Sequence, residues 1–316
     1  MPEHELCQRE IMKNILVIGG SYFAGRVLLE LLVRVPGYQV YVFNRGKIPL
    51  GWQGIHEIKG DRDIPADLLT IPSQKWDAVV DFCGYTPQHI VDCIKYIPGT
   101  INHYIFISTT SVYAQNSTIP LVEEAQKVKA SNPGLGDYAD YGLDKWNAEC
   151  ALKEECHKKS IDHTILRPAI IFGRYNYAPR EFFLFEQIIK GYPLIIPETI
   201  PPVRFSFAWV VDLARIIYYC LQNESVRGKC FNIAGPEMVS YSDLIAVLEK
   251  NCGRTLKTIQ MSVAQIIRQN VQLPFPPDLD LLYDGSAINQ IIGDAYTPFA
   301  KAMDATWRYY MTLLNR

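Results

Sequence analysis

No stretch of the sequence approaches the ~18 consecutive apolar residues of a membrane-spanning helix, so no membrane partner is expected. The polar, acidic start Met1-Pro2-Glu3-His4-Glu5 holds no apolar signal core, and cytoplasmic location is the expectation. None of the eight cysteines falls in a C-x-x-C pair, which points away from a zinc cluster or a thioredoxin-like motif; no metal is expected. Several cysteines sit inside apolar runs, as free thiols do in a reducing cytosol. Neither sign of charge dominates: 31 Lys and Arg against 33 Asp and Glu leave a formal net charge of -2. That balance gives no support to nucleic acid as a partner. The sequons Asn116-Ser117-Thr118 and Asn223-Glu224-Ser225 read as chance matches in the absence of a secretion signal.

What is present is core-forming material. Hydrophobic residues make up 48% of 316, enough for one large domain and a smaller lobe. Ile15-Leu16-Val17-Ile18 is a continuous apolar run, the pattern of a strand buried on both faces of a parallel sheet. Phe23, Val27, Leu28, Leu31, Leu32 and Val35 then follow helical spacing up to Pro36-Gly37, and Val40-Tyr41-Val42-Phe43 is a second strand. Further strands are expected at 55–59, 78–82, 104–107 and 164–166, with a helix over 141–157 before the last. This alternation predicts an α/β fold: a Rossmann-type doubly wound parallel sheet with a smaller C-terminal substrate lobe. The expected dinucleotide-binding domain covers 13–175 and 205–235, and the substrate lobe 176–204 and 236–316. Residues 1–12 read as a flexible tail and 115–137 as a loop over the strand ends. Helices are expected at 181–190, 209–222, 241–251 and 298–313.

Gly19-Gly20-Ser21-Tyr22-Phe23-Ala24-Gly25 occupies the first βα turn. In a dinucleotide fingerprint the outer glycines make the tight turn and the close helix contact, and helix amides bind the pyrophosphate. Tyr22 stands where the middle glycine belongs; the bland alternative is a plain tight turn. After the second strand come Asn44-Arg45-Gly46-Lys47, with no acid for a ribose hydroxyl. Arg45 could pair with a 2′-phosphate, so NADP(H) is favoured with NAD(H) as the alternative; an incidental turn arginine would look the same.

Tyr141 and Lys145 are four apart in a helical region and therefore one turn apart on one face. An ammonium near a phenol lowers the phenol's pKa. A bare YxxxK is frequent by chance on surface helices. The hydroxyl cluster Ser108-Thr109-Thr110-Ser111 follows the fifth strand directly, where ligands gather in such sheets, although turns also favour these residues.

Together with Asp61-Arg62, Asp81-Phe82-Cys83-Gly84, Ser108-Thr109-Thr110-Ser111-Val112-Tyr113, Leu166-Arg167-Pro168-Ala169, 209–214 and 231–236, these motifs resemble the extended short-chain dehydrogenase/reductases of the NAD-dependent epimerase/dehydratase family. The resemblance runs from about Lys13 to the C-terminus. It implies Thr109 as the catalytic hydroxyl, Tyr141 as acid/base, and Lys145 as the residue that binds the nicotinamide ribose and tunes Tyr141. It implies cofactor contacts from Gly19, Gly20, Ser21, Tyr22, Phe23, Gly25, Asn44, Arg45, Asp61, Arg62, Phe82, Cys83, Gly84, Lys145 and the segment after Pro168. A nucleotide-activated sugar is the implied substrate, with Tyr85, Thr86, Asn176, Arg180 and Arg204 as contacts; the arginines could equally be surface residues. The large residue at 22 is closer to an atypical branch that includes plant proteins with RNA-associated roles. A homodimer through the Tyr141 helix is a family expectation.

Sugar dehydratases of the family place an Asp-Glu pair after the catalytic Thr, whereas this chain has Thr110 and Ser111, poor acids and bases. A 4-epimerase or a ketoreductase working through a keto intermediate remains. The alternatives are a reductase of a non-sugar carbonyl and a non-catalytic dinucleotide-binding protein with a regulatory or RNA-associated role.

Overall fold

The apolar runs are continuous because alternate residues of each central strand enter different cores. Ile15, Val17, Val40, Val42 and Val80 pack on one face of the sheet; Leu16, Ile18, Phe43, Val79 and Phe106 pack on the other. The protein is seen here in a computed structural model that describes residues 12–114, 118–178 and 180–314. All of the expected tail except Met12 lies outside the described residues, as do Asn116 and Ser117 of the first sequon and the start of the expected 115–137 loop.

Seven strands form the main sheet: β1 (Lys13–Ile18), β2 (Tyr38–Asn44), β3 (Ile55–Lys59), β4 (Ala78–Asp81), β5 (His103–Ile107), β6 (Asp162–Pro168) and β7 (Lys229–Ile233). Their order is β7-β6-β5-β4-β1-β2-β3, and every pairing is parallel. The fold class read from the sequence is the one observed. The order reverses between β1 and β4, which leaves a crevice beyond their C-terminal ends.

Helix α1 (Phe23–Leu32) packs with α5 (Val210–Gln222), and α2 (Pro87–Tyr96) packs with α3 (Tyr141–Lys159). Helix α1 ends short of the expected Val35, in turns that precede Gly37 (φ +88). A second core joins α4 (Glu181–Lys190), α6 (Tyr241–Cys252) and α7 (Phe299–Leu314) around Phe185, Leu244, Phe275, Met303 and Trp307. Ile170, Phe172, Phe205 and Phe207 also enter this core. Among the described residues, no helix is long and apolar enough to cross a membrane.

Candidate active site

A cavity of about 470 Å³ opens at the switch point between β1 and β4. One wall is the loop 19–25. Gly20 has φ +89, a conformation that L side chains rarely adopt. A Cβ on Gly25 would lie 2.3 Å from the Gly20 Cα, so helix and loop meet only because this residue is glycine. Here the close-packing role assigned to the last glycine of the fingerprint is visible in the geometry. Gly19, Gly20, Ser21, Tyr22, Phe23 and Gly25 all line the cavity. This cradle, at the N-terminus of α1, fits a dinucleotide's pyrophosphate.

Towards β2 and β3 the walls are Asn44, Arg45, Lys47, Asp61, Arg62 and Asp63. The Asn44 side chain accepts a hydrogen bond from the Gly46 amide at 2.6 Å and so shapes the turn. Arg45 and Lys47 are exposed. Arg62 is buried, donating to Asp81 at 2.8 Å and to the His89 carbonyl at 2.8 Å. Burial alone would raise the Asp81 pKa, but the Arg62 charge and the hydrogen bonds from Arg62, Tyr104 and the Cys83 amide outweigh it and hold the carboxyl low. Burial pushes the Cys83 thiol up to about 11, so it lines the cavity as a neutral group.

Beyond β5, Tyr141 and Lys145 of α3 face the same cavity, with Ile107 and Ser108 between them and the glycine loop. The Thr109 hydroxyl lies 3.2 Å from that of Ser111 and accepts the Ser111 amide at 3.1 Å; Thr109 itself is not among the residues that line the cavity. Lys145 is fully enclosed. Its ammonium donates to the Ile107 carbonyl at 2.8 Å and sits 4.6 Å above the Phe106 ring and 5.2 Å above the Tyr85 ring. Burial drives its pKa down to about 8, against the pull of Asp81 and Cys83.

One electronic expectation is corrected. Burial raises the Tyr141 pKa, and the groups that oppose the rise are Thr109, through its hydrogen bond, and Arg180, through its charge. Lys145 is turned towards the Ile107 carbonyl instead. A lone Tyr–Lys spacing carries no information about this burial.

Several residues expected at the site have other partners. Thr86 caps α2, accepting from the His89 amide at 3.3 Å. Asn176 spends its side chain on Glu181 at 2.8 and 3.0 Å and on the Ala178 amide. Arg204 lies in a two-residue strand, where its backbone and guanidinium both meet Asp280. Gly84 and Pro168 are buried, Gly84 against Asp81 and Phe106 and Pro168 opposite Ile233 in β7. None of these five lines the cavity, whereas Phe82, Cys83 and Tyr85 do. Arg180 is 3.5 Å from the Ile171 carbonyl and does not line the cavity either.

The sequence reading did not single out His89, Lys47, Asp63, Ile171 or Tyr177, all of which line the cavity. His89 bonds Asp63 at 2.8 Å through Nε2 and accepts the Tyr85 amide at 3.1 Å through Nδ1, joining two cavity loops. Burial lowers its pKa, which keeps it neutral and able to accept there.

Residues 86–234 match the family model described as NAD dependent epimerase/dehydratase family. A chloroplast stem-loop binding protein of 41 kDa, form b, from Arabidopsis thaliana is 29% identical over 76% of this chain. An uncharacterized Sinorhizobium fredii protein is 26% identical over 81% of the chain. The chain spans 64% and 65% of those two relatives' lengths. A UDP-glucose 4-epimerase from Vibrio cholerae is 23% identical over 76% of each chain. Among solved structures, UDP-glucuronic acid 4-epimerase from Bacillus cereus, in complex with UDP-glucuronic acid and NAD, aligns with TM-score 0.73 and 19% identity over 95% of this chain and 99% of the other. UDP-glucose 4-epimerase from Thermotoga maritima aligns with TM-score 0.74 and 17% identity over the same shares. At these identities the structural likeness is one of fold.

Proposed function

We propose that the protein is an NAD(P)-dependent oxidoreductase that acts on a nucleotide-activated sugar through a keto intermediate, as a 4-epimerase or a ketoreductase. The observation that carries this reading is the meeting of Tyr141 and the enclosed Lys145 with the glycine cradle around one cavity. A nicotinamide dinucleotide bound there supplies reversible acceptance of hydride from a carbinol carbon. Loop 19–25 holds its pyrophosphate, and Lys145 reaches its ribose. Arg45 and Lys47, with no acid at the end of β2, favour the 2′-phosphate of NADP(H) over NAD(H).

Tyr141 moves the proton. Its raised pKa keeps the phenol protonated at neutral pH, which suits donation to a carbonyl oxygen; Thr109 hydrogen-bonds the same oxygen. Acting as base, Tyr141 needs positive charge nearby, and the charge of Arg180 acts in that direction. Arg180 is also the remaining candidate for a sugar-nucleotide phosphate, because Arg204 is engaged by Asp280. The sugar-nucleotide substrate draws further support from the names of the Vibrio, Bacillus and Thermotoga relatives. The described cysteines are all free, in keeping with a reducing compartment such as the cytosol.

The test is denaturation of the purified protein and identification of the released nucleotide by mass, followed by assay of Tyr141→Phe. We expect NAD or NADP in the wild type. In the variant, turnover should fall at least ~100-fold, the span of one acid/base group, with dinucleotide affinity within about threefold. Unchanged turnover removes Tyr141 from the chemistry. The name of the Arabidopsis relative favours one second reading, stem-loop RNA binding by a catalytically silent dinucleotide protein. RNA retention without turnover on any keto-sugar would select it.

A further inference from the structure

The chain from Gly173 to Tyr177 reaches the mouth of the cavity, and it is held from two sides. On one side Arg174 pairs with Glu30 of α1 at 2.6 Å, the Tyr175 hydroxyl donates to the same carboxylate at 2.6 Å, and Arg26 lies 4.6 Å over the Tyr175 ring. On the other, Glu181 accepts the Gly173 amide at 2.9 Å and the Asn176 side chain, while Tyr310 donates to the Gly173 carbonyl at 3.3 Å. Between these anchors stands Tyr177. Its ring centroid is 6.5 Å from that of Tyr22 and 6.0 Å from that of Phe23, both edge-to-face.

The contact joins the glycine cradle to a segment about 155 residues later in the chain. It is made where the fingerprint calls for a glycine and this chain has Tyr22. Tyr22 and Tyr177 line the cavity, yet 53% and 74% of their surfaces are exposed, so the pair gains little from burial as it stands. The backbone is strained on both sides of the contact. Phe23 has φ +38 and Tyr175 φ +66, left-handed values that cost stability in residues other than glycine and gather at ligand clamps.

We propose that Tyr22 and Tyr177 form an aromatic clasp that closes over a bound dinucleotide and slows its release, with the Glu30-anchored strap holding Tyr177 in place. The inference rests on the reading of this cavity as a dinucleotide site. It makes the protein a retainer of its dinucleotide, a property suited to an enzyme that regenerates the cofactor within each cycle.

The experiment is stopped-flow fluorescence of bound NADPH and NADH displaced by excess oxidised dinucleotide. Tyr177→Ala should raise the dissociation rate at least tenfold and change the association rate less than threefold. Tyr177→Phe should keep the wild-type rate, since the ring makes the contact. Glu30→Gln, a change outside the cavity, should accelerate release by an intermediate factor. If the two rings act as one device, Tyr22→Gly with Tyr177→Ala should release no faster than the faster single variant. Wild-type release from Tyr177→Ala overturns the clasp while leaving the site assignment intact. Failure of the wild type to bind either dinucleotide overturns the site assignment, and the clasp with it.

Discussion

Two arginines are buried in the main domain, and they are built differently. Every nitrogen of the Arg167 guanidinium has a partner. Its Nε and Nη2 donate to Glu149 at 2.9 and 2.6 Å, and Nη1 donates to the Tyr113 hydroxyl and the Glu123 carbonyl. Ser108 adds a 2.6 Å bond to Glu149, and Tyr113 passes its own proton to Asn232. Arg62 also holds a carboxylate, Asp81, but its Nε is buried without a protein partner and its side chain forms part of the cavity wall. The first network is sealed and ties β5, α3, β6 and β7 together, which fixes the elements carrying Thr109, Tyr141 and Lys145. The second is open on one side. Similar buried ion pairs thus sit differently: one is enclosed between sheet and helix, and the other borders the cavity.

The largest effect that would test this contrast is in the sealed network. Glu149→Gln leaves the Arg167 charge without its bidentate partner, and breaking a fully buried pair costs about 3–5 kcal/mol. The urea midpoint should fall accordingly, while dinucleotide affinity of the remaining folded protein stays within about threefold. Asp81→Asn should cost less, about 1–3 kcal/mol, because the asparagine keeps an acceptor for Arg62, which also donates to the His89 carbonyl. It should also weaken dinucleotide affinity at least fivefold through the displaced guanidinium. Equal stability losses with unchanged affinity in Asp81→Asn would erase the distinction.

Neither network was legible beforehand. Arg167 appeared only as part of a Leu-Arg-Pro-Ala string, and Arg62 only as one of the implied cofactor contacts. A buried arginine looks like a surface arginine until its partner, 18 or 19 residues away, is brought alongside by the fold. The sheet was legible for the opposite reason. Strands covered on both faces write their burial into consecutive residues, and the expected strands recur as β1 to β6. The strand 204–205 left no such mark, because two residues carry no period. Within the site, the glycine cradle is local and readable. Tyr177 and His89 reach the cavity only through the path of a loop and the cap of a helix, and Thr86 and Asn176 carry polar side chains that the backbone consumes.

A milder test sets both charged networks against a buried pair that is neutral at working pH. At the N-terminal end of β5, His103 lies 2.8 Å from the Thr164 hydroxyl, which itself donates to the Val226 carbonyl at 3.0 Å. Thr164 is therefore the acceptor, and His103 carries its proton on Nε2. Burial, with Arg227 and His163 adding to it against Asp162, drives the His103 pKa from 6.5 down to about 4. In the unfolded chain the imidazole takes up a proton near pH 6.5, which the folded chain refuses until pH 4. Stability held above pH 6.5 is thus lost as the pH falls through that window, by at most ~1.4 kcal/mol per pH unit for one proton. The expected result is an acid limb in the wild-type urea midpoint that His103→Gln flattens, with no change in the difference between the two proteins above pH 7. An equally steep limb in the variant would assign the acid sensitivity to the carboxylates of the arginine networks instead.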